Sequence, residues 1–267
     1  MKIVEKITLC FLAAIFLASA GILAWHALRA YTAQSHMEDL ATRKAGETAK
    51  DLETRKGVIK GTYKDLWKEN EDLIGWIEIK GTHIDYPVMQ SKEAPEFYLT
   101  HDFKKEREPA GTPFMDASSD ISLPTQNWLL YGHNMRSGIM FHDLLKYADK
   151  DFYEAHKTLR FDTIHPGQGH EYEIMAAFYT SVGASGFRYF EYAGMVTEDD
   201  YETYVENVKE LSEYETNVTA QYGEQLLTLS TCSYHVPGRN GRFVVVAKQA
   251  KNTVKEGLRN ADRTHGR

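Results

Sequence analysis

Gln225-Leu226-Leu227-Thr228-Leu229-Ser230-Thr231-Cys232 and Arg242-Phe243-Val244-Val245-Val246-Ala247-Lys248 are the segments from which the fold of this 267-residue chain is read. Both are short, and the second is built almost wholly of β-branched and aromatic residues, so each reads as a strand. The ten-residue step from Cys232 to Arg242 is the length of a strand-to-strand connection. Two neighbouring strands would therefore bring a thiol and a guanidinium together. That pair suits acyl transfer: a thiolate attacks a carbonyl carbon, and a permanently charged, fork-shaped donor receives the charge that develops on the oxygen.

Moving upstream, strand signals recur at close spacing over Ile74–Ile79, Ile84–Met89, Thr112–Met115, Trp128–Tyr131, Leu159–Asp162 and Tyr172–Tyr179. With Gln225–Thr231 and Arg242–Lys248, they predict a mainly β domain, a barrel or sandwich rather than alternating βαβ units. Pro87 marks an edge or a bulge, because proline cannot donate to a ladder. Two helices interrupt the strands. One is expected over Met140–Tyr147 with Phe141, Leu144 and Leu145 on one face. The other, over Glu198–Glu213, is capped by Thr197 and Asp200 and presents Tyr201, Tyr204, Val205, Val208 and Leu211 at helical spacing, a stripe that reads as core contact.

Residues Ile7 to Leu28 contain no Asp, Glu, Lys or Arg. As a helix this run would reach about 33 Å, enough to cross a bilayer. Lys2, Lys6 and Ala18-Ser19-Ala20 also fit a cleaved signal peptide, but the apolar run continues past that point to Trp25, which favours an uncleaved anchor. Basic residues flank both ends, so charge alone does not orient it. The expected organisation is a short cytoplasmic N-terminus (1–6), a transmembrane anchor (7–28), a stalk and N-terminal helices (29–72), a catalytic domain (73–250) and a polar tail (251–267). Thr32–Lys56 reads as a solvated helical stalk broken by Gly57 and Gly61. Thr62 is expected to cap a second helix running to Asn70.

There are only two cysteines, and Cys10 lies in the apolar N-terminal run. Cys232 is therefore expected to be free. A free cysteine on its own reads as a small buried hydrophobe; on a domain held outside the cytoplasm, an unpaired thiol points to use. Of eleven histidines, His133 has the best context as its partner, in Tyr131-Gly132-His133-Asn134-Met135 just beyond an apolar run. His235 is the rival by sequence proximity and reads as a solvated loop residue, and His142 is among those read as structural or solvated. Arg239 is a second basic candidate, placed in a turn. The net charge of −7 argues against a polyanion-binding surface, and neither a paired-thiolate metal site nor a calcium loop is present in the sequence.

Taken together, these residues resemble the sortases, cysteine transpeptidases of Gram-positive bacteria, and look most like class B. The resemblance runs from Leu73 to Lys248 through Gly75-Trp76-Ile77, Ile84-Asp85-Tyr86-Pro87-Val88, Tyr131-Gly132-His133-Asn134-Met135, Met140-Phe141, Thr228-Leu229-Ser230-Thr231-Cys232 and Arg242-Phe243-Val244-Val245. It implies an eight-stranded sortase barrel with N-terminal helices and a long helix before the cysteine strand. It also implies a membrane anchor with the catalytic domain outside, and a triad of His133, Cys232 and Arg242. The implied substrates are secreted proteins with a C-terminal sorting motif cut after Thr, the acceptor is an amine of the cell-wall precursor lipid II, and no cofactor is required. Leu99, Ser230, Thr231, Tyr189 and Phe190 match peptide-contact positions, within a loop Ser185–Tyr192 whose Phe187 and Tyr192 fit either a groove wall or ordinary packing. The alternatives left open are a pilin-polymerising class B enzyme with a lysine acceptor, a cysteine peptidase resolved by water, and a membrane-tethered binding module.

Overall fold

The computed structural model describes residues 2–250 apart from 45, 47, 48, 56, 124, 125, 168, 184, 185 and 237. The expected polar tail, 251–267, and Ser185 of the aromatic loop lie outside the described residues.

Helix α1 (Lys2–Thr42) is unbroken for 41 residues. Every described side chain from Ile3 to Leu28 is exposed, and this helix is long and apolar enough to cross a membrane, a profile that a signal sequence also meets. Its last third is not a solvated stalk. Ala33, Met37 and Leu40, spaced so that they share one face, are buried against the domain, and Tyr86 donates to Gln34 Oε1 at 3.1 Å. This seam is only three residues long, too short to stand out from the polar residues around it. The helix also ends well before Lys56. Beyond Thr42, Arg43 pairs with Glu69, and Lys44 reaches Asp85 at 3.2 Å and lies 4.3 Å above the Trp76 ring. These tertiary contacts turn the chain out of the helix, and a hairpin follows, β1 (Leu52–Thr54) with β2 (Gly57–Ile59).

Gly61–Tyr63 then forms a 3-10 turn leading into α2 (Lys64–Glu69). Thr62 sits inside this turn, and no side chain caps α2. The N–H of Gly61 is taken instead by Asp51 Oδ1 at 2.8 Å, and a Cβ at Gly61 would lie 1.9 Å from the Ala49 carbonyl oxygen, so only glycine allows that approach.

Eight strands close into a barrel: β3 (Leu73–Glu78), β4 (Asp85–Met89), β5 (Phe114–Met115), β6 (Asn127–Tyr131), β7 (Thr158–Thr163), β8 (Gly169–Ser181), β9 (Leu226–Cys232) and β10 (Gly241–Gln249). Around the barrel the order is β10-β8-β7-β3-β4-β5-β6-β9, antiparallel except for β4 with β5 and β6 with β9. Strand β5 is shorter than expected because Thr112 belongs to the preceding turn, where its N–H meets Tyr98 O and its hydroxyl meets His101 O. Pro87 lies opposite Trp76, and β5 reaches β4 only at Met89, so the proline faces an unladdered edge; the register shift falls in β3 between Leu73 and Gly75 instead.

Short helices fill the connections. Phe141–Ala148 is a 3-10 helix, followed by α3 (Lys150–Ala155), and a further 3-10 turn spans Tyr189–Tyr192. Helix α4 (Glu198–Leu211) begins as expected, with Thr197 Oγ1 accepting the Asp200 N–H, and buries Tyr201, Tyr204, Val205 and Val208. Leu211, the last member of the predicted stripe, is 40% exposed because the helix ends there.

The two faces of β9 and β10 enter different apolar clusters. Leu227, Leu229, Phe243, Val245 and Ala247 join one with Trp128, Leu130 and Phe161. Leu226, Val244 and Val246 join the other with Tyr189 and the buried face of α4. Such two-sided burial explains why these strands read as continuous apolar runs rather than alternating ones.

Candidate active site

Three adjacent strands set the site. On β9, side chains alternate, so Thr228, Ser230 and Cys232 share the face that α4 and the Tyr189 turn cover. Tyr204 OH meets Thr228 Oγ1 at 2.6 Å, and Tyr189 OH meets Ser230 Oγ at 2.6 Å. Cys232 comes next on that face, where the aromatic cover has ended, and it is partly exposed and unpaired. On β6 the same alternation runs Asn127, Leu129, Tyr131 and, just past the strand, His133. On β10, Arg242 is the direct cross-strand partner of Cys232.

Ser233 N–H donates to Gly241 O at 2.9 Å, which makes that neighbouring pair hydrogen-bonded and the Cys232–Arg242 pair non-hydrogen-bonded. Such pairs hold their Cβ atoms at the close end of the range, about 4.5–5.5 Å, with both side chains on one face. Arg242 Nη1 donates to Arg239 O at 2.8 Å and Gly241 O at 2.9 Å, which fixes one arm of the guanidinium and leaves the rest of its fork toward the groove. Arg239 thus contributes a carbonyl, and its own side chain is exposed.

His133 Nε2 lies 2.8 Å from Leu99 O. A carbonyl only accepts, so Nε2 carries the proton. Among the described residues no hydrogen bond joins His133 to the Cys232 thiol. Gly132 lets the chain pass beneath Phe141: a Cβ there would fall 2.5 Å from that buried ring. His235, the rival, is exposed, contacts Ser233 Oγ, and stacks obliquely on Tyr179 at 4.9 Å.

A groove of about 420 Å³ joins these groups, and all eight sequence-predicted residues line it: His133, Cys232 and Arg242 together with Leu99, Ser230, Thr231, Tyr189 and Phe190. Phe187 and Tyr192 do not line it; both pack on Tyr204. Thr231 lines the groove at its edge while its hydroxyl donates to Gly132 O at 2.7 Å, tying β9 to the His133 loop. Sequence reasoning missed other residues of the lining, among them Glu96, Asp116, Tyr131 and Val182. Tyr131 donates to Asp116 Oδ2 at 3.0 Å; burial, then the Asp116 charge, push this phenol well above its ordinary pKa, so it stays protonated. Burial likewise raises Tyr189, against the opposing pull of its Ser230 hydrogen bond and of Arg242. The groove thus offers neutral phenols, two acidic side chains, Glu96 and Asp116, and one guanidinium around a partly exposed thiol. Among the described residues no group of three or more His, Cys, Asp or Glu side chains is placed to hold a metal ion.

The chain is similar to known proteins in sequence and in fold. The Sortase domain family model matches residues 77–250. Sortase B of Listeria monocytogenes is 38% identical over 192 residues, covering 72% of this chain and 75% of its own. Sortase B of Staphylococcus aureus is 31% identical over 193 residues, covering 72% and 76%. Among solved structures, sortase B from Bacillus anthracis in complex with AAEK1 superposes with a TM-score of 0.70 at 30% identity, covering 84% of this chain and 99% of that one. The Staphylococcus aureus sortase B–substrate complex gives 0.70 at 27% identity, covering 82% and 96%.

Proposed function

Starting from the membership of this chain in the sortase family of cysteine transpeptidases, within class B, we propose that it joins secreted proteins to the cell wall from a membrane-anchored position. The substrate is a protein with a C-terminal sorting motif, cleaved after Thr, and the acceptor is an amine of lipid II. The organisation proposed is a cytoplasmic 1–6, an anchor 7–28, a connecting segment 29–72, an extracellular catalytic domain 73–250 and a tail 251–267.

The observation that carries this reading is the convergence of His133, Cys232 and Arg242 from the ends of three neighbouring strands onto one groove. Cys232 as thiolate attacks the Thr carbonyl carbon, and Arg242 takes the charge that builds on the oxygen. His133 as imidazolium gives its proton to the departing amine, leaving a thioester and a neutral imidazole. The acceptor amine then attacks the thioester carbonyl, His133 removes its proton, and the thiolate departs as the new amide forms. A solved sortase B–substrate complex among the similar structures supports a peptide in the corresponding groove.

The test is product analysis with candidate sorting peptides, with and without added amines. The expected result is a Cys232 acyl adduct that converts to an amide with a glycine-type or stem-peptide amine. Adduct formation with transfer only to a lysine side chain would replace the proposed acceptor by a pilin-type one. Hydrolysis unaffected by any amine would reduce the activity to that of a peptidase.

A further inference from the structure

The parallel ladder between β6 and β9 ends at Tyr131 opposite Ser230, and the last backbone link beyond it is Gly132 N–H to Ser230 O at 3.1 Å. His133 and Cys232 lie just past that point. Cys232 occupies a non-hydrogen-bonded position against Arg242, so its own carbonyl turns away from β10 and toward the β6 side, where the ladder has run out. A side chain supplies the missing donor: Asn134 Nδ2 meets Cys232 O at 2.9 Å.

An asparagine amide has two ends, and something must choose between them. Asn134 Oδ1 lies 2.7 Å from His142 Nδ1. With Nδ2 donating to Cys232 O, Oδ1 is the acceptor and His142 Nδ1 holds the proton. The flipped amide would set oxygen against oxygen at Cys232. His142 comes from the 3-10 helix Phe141–Ala148, whose first N–H donates to His133 O at 2.9 Å. The loop between is closed by an isolated antiparallel bridge between Asn134 and Met140. Met140 has φ 58°, a left-handed conformation that costs a buried, non-glycine residue energy; Tyr86 OH accepts its N–H at 3.2 Å. The loop is thus built to hold one shape, and Asn134 is where that shape is transmitted to the nucleophile strand.

We infer that Asn134 is a positioning residue for the transpeptidase: its amide ties the Cys232 carbonyl to the loop that carries His133, and His142 sets the direction in which that amide points. The inference rests on the proposed roles of Cys232 and His133 and names the link that keeps them in register.

In the full chain, Asn134→Ala should lower kcat about tenfold or more, with KM changed less than about twofold, since the link orients reacting groups without touching peptide. It should also slow alkylation of Cys232 by iodoacetamide at pH 7. His142→Ala should act in the same direction, and the double variant should be no worse than Asn134→Ala alone, because both lie on one path. His142→Asn, whose amide can still donate to Oδ1, should recover part of the His142→Ala loss, which a purely structural role would not predict. Wild-type kcat and alkylation in Asn134→Ala, or losses that multiply in the double variant, would overturn the inference. If Asn134→Ala does not fold, the half-exposed His142 pair decides: rescue by Asn supports the link, equal loss in both refutes it. A wild-type chain that alkylates but cleaves no sorting peptide would refute the proposed function instead, and the alkylation rates alone would then judge Asn134.

Discussion

Cys232 and Arg242 stand directly opposite one another at a non-hydrogen-bonded pair of the β9–β10 ladder, with both side chains on the groove face. The pairing is set by backbone register, so the thiol and the guanidinium meet without help from any loop. Chemistry that needs a charge near a nucleophile is thereby built into the sheet.

Arg242→Lys should lower kcat about a hundredfold or more, with a smaller change in KM. An ammonium keeps the charge but lacks the planar fork, one arm of which is already held by the Arg239 and Gly241 carbonyls. Steady-state kinetics on a sorting peptide check this. Near-normal turnover would move Arg242 from oxyanion stabilisation to a lesser role.

Cys232→Ala should form no acyl adduct by mass spectrometry while melting within about 3 °C of the wild type, because the thiol is partly exposed and makes no hydrogen bond that packing depends on. An adduct on the variant would place the nucleophile elsewhere.

Gly132→Ala should lose activity and about 1–3 kcal/mol of stability. The new Cβ would lie 2.5 Å from the ring of Phe141, which is fully buried and cannot retreat, so the chain carrying His133 must shift. Thermal melting and peptide cleavage measured together check it; a fully active variant would show that this approach is not binding on the site.

Asp143 is 2% exposed and holds three partners: His83 N–H and His83 Nδ1 at 2.9 Å each, and Lys146 Nζ at 2.9 Å. Burial alone would raise its pKa, but the His83 and Lys146 bonds outweigh burial and hold it below the ordinary carboxylate value. A depressed folded value stabilises the fold above the unfolded pKa of about 3.9, and that stability is lost as pH falls through the folded one. Asp143→Ala should therefore cost about 1–3 kcal/mol at pH 7, the loss of hydrogen bonds to a charged group whose partners His83 and Lys146 stay solvated. The gap from wild type should narrow below about pH 4, where the wild-type carboxylate also begins to protonate. Melting curves from pH 7 to pH 3 check the sign; a gap that widens on acidification would contradict it.

The barrel was legible because its strands announce themselves locally. β-branched runs such as Arg242–Lys248 are bounded by turn residues, and the Cys232–Arg242 spacing itself dictates two adjacent strands. Thr197 capped α4 as read, since capping depends on residues three apart. What escaped were features that depend on distant partners. The Leu52–Ile59 hairpin forms where a charged, helix-prone composition predicted a stalk, because Arg43 and Lys44 find Glu69, Asp85 and Trp76 across the fold. His142 carried no sequence signal beyond its proximity to His133, and Asp116 none at all, since their partners Asn134 and Tyr131 are chosen by loop closure. A polar residue directly after a candidate catalytic histidine, as Asn134 is, was the one available hint.

Helix α1 passes from its apolar run to the seam at Ala33, Met37 and Leu40 without a break, and residues 29–32 alone lie between, about 6 Å of rise. On the proposed anchoring this is a bracket rather than a leash. A domain on a leash sweeps a volume and meets its targets by searching; a bracketed one holds its mouth at a set height and angle above the lipid headgroups. Both reactants would have to be delivered to that level, the one trailing from its own export route and the other already embedded in the same leaflet.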